Sequence, residues 1–560
     1  KKMFGESGST VIRAGYSIAY SREGLNNWLG PDNPGNSGFQ FSNPVASNPA
    51  PGQFVAGNLQ LQSLNFPTVA QNPTSFSPSF QLDPTTGDSV FATDPNLHMP
   101  YVQSWSLGVQ RSLGPDMALE VRYVGNHGVG LWEEENLNEV NIFENGFLAE
   151  FQNAANNLNI CETNMGACLT AGAPAGGSFA DFGLPGQRPL PIFTAAFTGS
   201  SNSTPGSPTQ LNPNFSSGAF VTPLMTGQAG SAATSLTSFS FWQNLVAAGY
   251  PDNFWMANPE ATGGAFLLKN GFQSTYNALV VDFRRRPAKG LSFDANYTFS
   301  KALTDDWQRN GSNAPENFVS LRDTAIMKGP SPYDTRDAIK VITTYDLPFG
   351  SGRRWDFHNG AENRIFGGWS INTVVRWQTG RPTLLVGGLG GTVNQYDGGV
   401  QLTGLTPSQL QSDLGVYKTT TPAPGAVWYV PQSLLGAGGL GTNPAELAAC
   451  GTAGSYCDRV FVYGPQFFNA DISLQKTTKI TERVSIELRA EMLDAFNNAN
   501  FLWGDAYNAS GFSAGASFFS TVTGNLQNPG FGRIQTAYQD LDTTDSPGGR
   551  VLQLVFRLNF

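Results

Sequence analysis

The chain has 560 residues, and only 13% of them are charged, against about 25% in an ordinary globular protein. A net charge of −10 and a pI near 4.9 exclude a general nucleic-acid binder, which needs a basic face. Forty per cent hydrophobic residues, with 40 Phe, exclude a disordered chain, and the lack of Ala, Glu, Lys, Leu and Arg at helical period excludes a coiled coil or helical bundle.

No stretch approaches 18 consecutive apolar residues, so no membrane-spanning helix is expected. A transmembrane β-barrel needs only short segments of alternating hydrophobicity and stays open as a class. No charged-then-apolar leader follows Lys1, as expected if a leader was removed or if the chain is a fragment of a longer protein. The first clear segment is Thr10–Tyr20. Ile12, Ala14, Tyr16, Ile18 and Tyr20 share one face, and Arg13, Gly15, Ser17 and Ala19 the other, which is the period of a β-strand. The pattern recurs at Trp105, Leu107 and Val109, at Leu119, Val121 and Tyr123, and at Leu279, Val281 and Phe283. It recurs again at Leu291, Phe293, Ala295, Tyr297 and Phe299, and more weakly at Val341, Thr343 and Tyr345.

Next comes Trp369, Ile371, Thr373, Val375 and Trp377. The two indoles, Trp369 and Trp377, lie roughly 27 Å apart along an extended strand. That is near the ~25 Å apolar band between the aromatic girdles of an outer-membrane barrel, although core tryptophans at the two ends of a buried strand would give the same spacing. Ile472 and Leu474 open another strand, and Val484, Ile486, Leu488, Ala490 and Met492 form the next. The chain ends on Val551–Phe560, where Leu552, Leu554, Phe556, Leu558 and Phe560 share a face. Outer-membrane barrels resemble this end: their last strand typically stops on a Phe that the barrel-assembly machinery recognises, which makes Phe556, Leu558 and Phe560 a candidate assembly signal. The last strand of a soluble sandwich would show the same alternation.

Connections alternate in length. Leu113–Met117, Arg286–Gly290 and Lys479–Arg483 are short, and Leu347–Gly368 is intermediate. Residues of about 23–100, 127–270, 302–335, 379–467 and 498–549 form long loops. Alternation of short periplasmic turns with long outer loops is what an up-and-down meander across a membrane gives. About ten strands count back from a periplasmic C-terminus, and this parity sends Thr10–Tyr20 outward into a long loop. Basic residues sit at short turns (Arg284–Arg286, Lys289, Arg353, Arg354, Lys476, Lys479, Arg483), and acidic ones gather in long loops (Glu133–Glu135, Glu144, Glu150, Asp305, Asp306). Each group reads as a solvated face. A sharper reading sets the basic turns against anionic lipid and the acidic loops against cations or ligand.

Several segments together resemble the TonB-dependent outer-membrane receptors. They are closest to the Oar-like group, which carries a carboxypeptidase-regulatory-like N-terminal domain. These segments are Met99–Arg111 with Leu119–Asn126, Val11–Tyr20, Asn296–Ala302, Tyr333–Asp337 with Tyr345–Gly350, Gly367–Ile371 with Gln378–Pro382, and Phe468–Phe501. The resemblance implies an all-β fold, with this chain (residues 1–560) as the C-terminal part of a 22-stranded antiparallel transmembrane barrel. It implies a plug domain and an energy-coupling segment, neither of which is visible here, and truncation best explains their absence. The implied partners are outer-membrane lipid, the barrel-assembly machinery, the TonB system acting through the plug, and an extracellular ligand such as a siderophore, glycan, peptide or protein. The implied location is the cell outer membrane of a Gram-negative-type bacterium.

Cys161, Cys168, Cys450 and Cys457 form two pairs with equal spacing, both in the long loops. Of three connectivities, local pairing closes the smallest loops in an oxidising compartment. A zinc site built from all four cysteines would have wider spacing than usual. His98, His127 and His358 share no segment, and no HExxH, GxSxG or phosphate-loop pattern occurs. No enzyme activity, cofactor or metal is expected. The adjacent Asp305 and Asp306 read as loop-rim solvation. Arg13, Glu120, Arg122, Asp282, Asp294, Arg376, Asp471, Glu487, Arg489, Glu491 and Arg557 are expected to face the lumen, because charge facing lipid is costly. The leading expectation is a receptor or transporter barrel. A surface adhesin anchored by the barrel is the alternative from another class, and a soluble secreted sandwich enzyme is disfavoured by Phe560 and the loop alternation.

Overall fold

The computed structural model describes residues 9–20, 89–305, 320–357, 359–385, 391–396, 398–419, 426–436, 443, 445–481, 483–503, 534–536 and 549–560. Most of the expected 23–100 and 498–549 loops, with Asp306 and His358, lie outside them. Ten long strands form one antiparallel meander: β1 (Thr10–Tyr20), β2 (Tyr101–Ser112), β3 (Met117–Asn136), β4 (Gly264–Ala288), β5 (Leu291–Thr304), β6 (Asp337–Asp346), β7 (Trp369–Gln378), β8 (Phe467–Lys479), β9 (Ser485–Leu493) and β10 (Val551–Asn559). Each pairs with its sequence neighbours, as expected from the alternation, and β1 and β10 stand at the two open edges of the sheet. The short strand Ser89–Thr93 adds in parallel beside β4, and Gly329–Pro330 pairs with the end of β5. No helix among the described residues is long and apolar enough to cross a membrane.

Two of the expected loops differ from the sequence reading. Alternation breaks at His127-Gly-Val-Gly130, which sets a strand end there on sequence grounds. The ladder instead continues through a bulge between Gly128 and Leu131, and β3 runs to Asn136 against a β4 that starts at Gly264. The connection is therefore residues 137–263, and it is a folded helical unit. Helix α1 (Phe147–Thr163) buries Phe147, Phe151, Ala154, Leu158 and Cys161, a spacing of four, three, four and three that lays one stripe on a helix face. α2 (Met165–Thr170), α3 (Pro191–Thr198), α4 (Gly218–Thr226), α5 (Ala229–Leu236) and α6 (Phe239–Ala247) complete it. Their shared core is aromatic: Phe147 meets Trp255 at 4.8 Å, Phe179 meets Phe193 at 5.1 Å, and Phe197 meets both Phe215 and Phe220 at 5.0 Å. Part of the chain's Phe content thus fills this core.

The 379–467 connection is likewise folded. Three two-stranded ladders, Pro382–Leu385 with Val460–Tyr463, Val400–Leu402 with Leu447–Ala449 and Tyr417–Thr419 with Ala426–Trp428, surround a core of Trp428, Val430, Leu434 and Val462. At two glycines the helical and β units meet backbone to backbone. A Cβ on Gly230 would overlap the Asn394 backbone, and one on Gly227 (φ 72°) would overlap the Gly451 carbonyl.

Candidate functional site

The register fixes which residues share a face of the sheet. One row runs Ile12, Val109, Val121, Val281, Tyr297, Ile339, Trp377 and Phe468 across eight strands. Apolar residues predominate in the parallel rows on this face, and Leu554 (77% exposed) and Phe556 (65%) stand open on it. Such an area of exposed apolar surface is uncommon on a soluble monomer and marks an interaction surface.

Aromatic residues edge this face along two slanted lines. The outer line begins at Tyr20 and Tyr101, whose rings are 5.9 Å apart. It steps down through Trp105, Tyr123 and Phe299 to Trp377 and Phe468. Tyr20 lies eight residues beyond Ile12, the β1 member of the row that contains Trp377, and six strand-to-strand steps separate the two strands. About 1.3 residues of slip per strand, at ~3.4 Å per residue and ~4.8 Å between strands, is a tilt of roughly 43°. The inner line falls in the same direction but more steeply, two residues per strand, through Phe283, Phe293, Tyr345 and Trp369. With the tilt of the outer line, the Trp369–Trp377 separation projects to roughly 20 Å along the axis about which the sheet would close. The polar tips of these rings find partners. Trp377 Nε1 donates to Gln466 Oε1 (3.0 Å), Trp369 Nε1 to the Ile365 carbonyl (3.1 Å), and Tyr123 to Asn277 Oδ1 (2.5 Å).

All eleven charges expected in the lumen fall on the opposite face. There Arg284 bridges Asp282 and Asp294 (2.5 and 3.3 Å), Arg122 meets Glu120 (3.6 Å), and Arg489 lies between Glu487 and Glu491 (3.7 and 3.0 Å). Arg376 stacks over Phe467, and Asp471 accepts the Asp494 N–H (2.9 Å). These partly exposed pairs are each worth about 0–1 kcal/mol, so their main effect is to keep this face wet and polar. A concavity of about 740 Å³ opens on this face near the short turns, lined by Arg13, Gln110, Asp116, Arg284, Arg286 and Asp294 among others.

At the long-loop end, one carboxylate ties three connections together. Glu139 accepts from the Leu321 N–H (2.6 Å), the Ser320 hydroxyl (3.2 Å) and the Asn394 amide (2.7 Å). Gln395 bonds the backbone of Asn138 and Val140, and Arg322 grips Glu144 with both nitrogens at 2.6 Å. The helical unit, the 320–335 segment and the β unit are thereby joined into a cap. Sequence reasoning missed it, because its polar residues are Asn, Gln and Ser, which look like loop composition. The cap holds both cysteine pairs, Cys161–Cys168 with Cα atoms 5.3 Å apart and Cys450–Cys457 at 5.6 Å.

The expected chemistry residues are dispersed. His127 Nδ1 lies 2.9 Å from the Ser274 carbonyl, and Asp305 accepts the Gln273 N–H (2.6 Å). Among the described residues no group of three His, Cys, Asp or Glu side chains could hold a metal ion.

A family model described as "Outer membrane beta barrel domain" matches residues 3–553. The chain belongs to this family. It is an outer-membrane β-barrel chain of the Gram-negative cell envelope, which assigns the exposed apolar face to lipid and the charged face to the barrel interior. No curated protein matches the chain. Among solved structures, this barrel chain is similar to the outer membrane transporter YddB from Escherichia coli, at 9% identity and a TM-score of 0.37, covering 99% of this chain and 39% of that one. It is also similar to a mutant of the ferric enterobactin receptor PfeA from Pseudomonas aeruginosa, at 9% identity and a TM-score of 0.33, covering 99% and 38%. The ferripyoverdine receptor of Pseudomonas aeruginosa matches at 10% identity and a TM-score of 0.27, covering 75% and 26%. The barrel chain thus spans less than half the length of these proteins.

Proposed function

We propose that the chain is the C-terminal part of a TonB-dependent-type receptor of the Oar-like group, which binds an extracellular solute and moves it across the outer membrane. The observation that carries this reading is the inner face. It is a polar surface that carries ion pairs on β3, across β4 and β5, and on β9, which suits the wet interior of a barrel that encloses a plug. The Asn-, Gln- and Ser-rich surface of the cap suits capture of a ligand by hydrogen bonding. The proposed partners are the TonB system through a plug, the barrel-assembly machinery at Phe556–Phe560, and a siderophore, glycan, peptide or protein outside. The proposal includes no catalytic role.

A second reading makes the barrel an anchor and the cap an adhesive surface. The two folded, disulfide-bearing units favour it, since a rigid cap presents a fixed surface. Both readings are tested in a strain with and without the full gene, and with and without TonB. Uptake is measured over a panel of ferric siderophores, cobalamin and oligosaccharides. Gene- and TonB-dependent uptake of one class supports transport. Unchanged uptake together with gene-dependent surface binding supports the anchor.

A further inference from the structure

The turn between β6 and β7 contains a short helix, α7 (Gly360–Phe366). Two side chains from the lipid-facing rows hold its C-terminal end. Trp369 Nε1 donates to the Ile365 carbonyl at 3.1 Å, and Lys476 Nζ donates to the carbonyls of Arg364 (2.7 Å) and Gly367. Trp369 and Lys476 are register partners on that face, and the ammonium lies over the indole. A helix held by these two residues sits on the lipid side of the wall and not under the lumen.

What α7 and its turn expose matches that position. Ile365 is 62% exposed, Phe366 51% and Trp355 48%. These apolar groups continue the inner aromatic line at Trp369. The turn is internally ordered, with Trp355 stacked on Phe349 at 5.0 Å and Phe366 against Phe357 at 5.3 Å. Cations stand beside the apolar groups: Arg354 lies over the Trp355 ring, and Arg364 projects from α7. The neighbouring β8–β9 turn adds exposed Lys479 and Arg483 around an exposed Ile480. Apolar and aromatic groups next to cations form the pattern of an element lying in a membrane interface, with rings at the acyl boundary and cations at headgroup phosphates.

We propose that this turn is an interfacial foot. α7 buries Ile365, Phe366 and Trp355 in the periplasmic leaflet, and Arg354 and Arg364 bind the phosphates of anionic phospholipids there. The foot is continuous with the lipid-facing wall, which supplies its occupant. It follows from outer-membrane residence alone and does not depend on whether the barrel transports or adheres.

The test uses the full-length protein in nanodiscs of phosphatidylglycerol and phosphatidylcholine. Heat-modifiable migration reports that each variant is folded. A nitroxide is placed at Ile365→Cys, with Leu488→Cys as the lipid reference and Gln152→Cys, on an exposed face of α1, as the water reference. The expected ratio of oxygen to nickel-chelate accessibility at 365 matches that at 488. A ratio matching that at 152 overturns the proposal, because the turn would then sit in water or against a soluble partner. In the R354E/R364E variant, co-purified phosphatidylglycerol relative to phosphatidylcholine is expected to fall at the foot by at least about fivefold, from the attraction of ~1 kcal/mol per basic residue that is lost. An unchanged lipid ratio overturns the headgroup assignment.

Discussion

Glu150 shows how a single buried charge couples the cap to pH. It lies in α1, is buried, and accepts the N–H groups of Ile192 (3.0 Å) and Phe193 (2.8 Å) at the start of α3. Those two donors favour the carboxylate, but burial among aromatic rings outweighs them and pushes its pKa from 4.5 up to about 7. With the folded pKa raised, the folded unit holds a proton that the unfolded chain releases between these two values. The contribution of Glu150 to stability is therefore largest below pH ~4.5, falls as pH rises toward ~7, and is level above that, with a total loss on the order of 3 kcal/mol. Glu150→Gln removes the titration while keeping an acceptor near the helix start. The melting of the cap, followed by amide hydrogen exchange, is expected to be nearly flat from pH 5 to 8 in this variant and to decline with pH in the natural protein. A parallel decline in both would contradict the assignment.

At the scale of elements, the cap stands on its aromatic core. Phe193 is fully buried and packs on Phe147, Phe179, Phe197 and Phe220. Phe193→Ala is expected to destabilise the helical unit by about 3–5 kcal/mol, with the strand ladder unchanged. Hydrogen exchange resolves the two, with faster exchange in 147–255 and unchanged protection in β7–β9. The strands were legible in the sequence and this unit was not, for a physical reason. A strand with lipid on one side and water on the other alternates strictly, so Ile486, Leu488, Ala490 and Met492 announce themselves. The stripe of α1 was equally present at Phe147, Phe151, Ala154 and Leu158. It sits among Asn-rich residues with a weak polar contrast, in a connection whose length and Gly, Pro and Ser content resemble an open loop. The bulge at Gly128–Leu131 concealed the outer third of β3 in the same way, since one shifted register ends the alternation without ending the strand. Glu139 carried no signal at all: its three donors come from residues ~180 and ~255 positions away in the chain.

Across the whole molecule, one register relates both membrane edges. With Trp369 and Trp377 taken as girdle residues, Thr373, midway between them, is expected near the centre of the bilayer. Its neighbour Val374 points to the interior. Thr373→Arg is expected to cost about 2–4 kcal/mol in urea unfolding of the full protein from lipid vesicles, and Val374→Arg less than about 1 kcal/mol. Equal costs would mean that the two faces do not differ in solvent. The most direct test of the account is a cysteine scan of β9 in the full-length protein, in intact outer membranes, read by a water-soluble maleimide. Labelling is predicted to alternate along Ser485–Leu493, with Glu487→Cys, Arg489→Cys and Glu491→Cys reactive and Ile486→Cys, Leu488→Cys, Ala490→Cys and Met492→Cys protected. Uniform labelling along the strand, or recovery of the protein in the soluble fraction, would contradict a lipid-facing barrel wall.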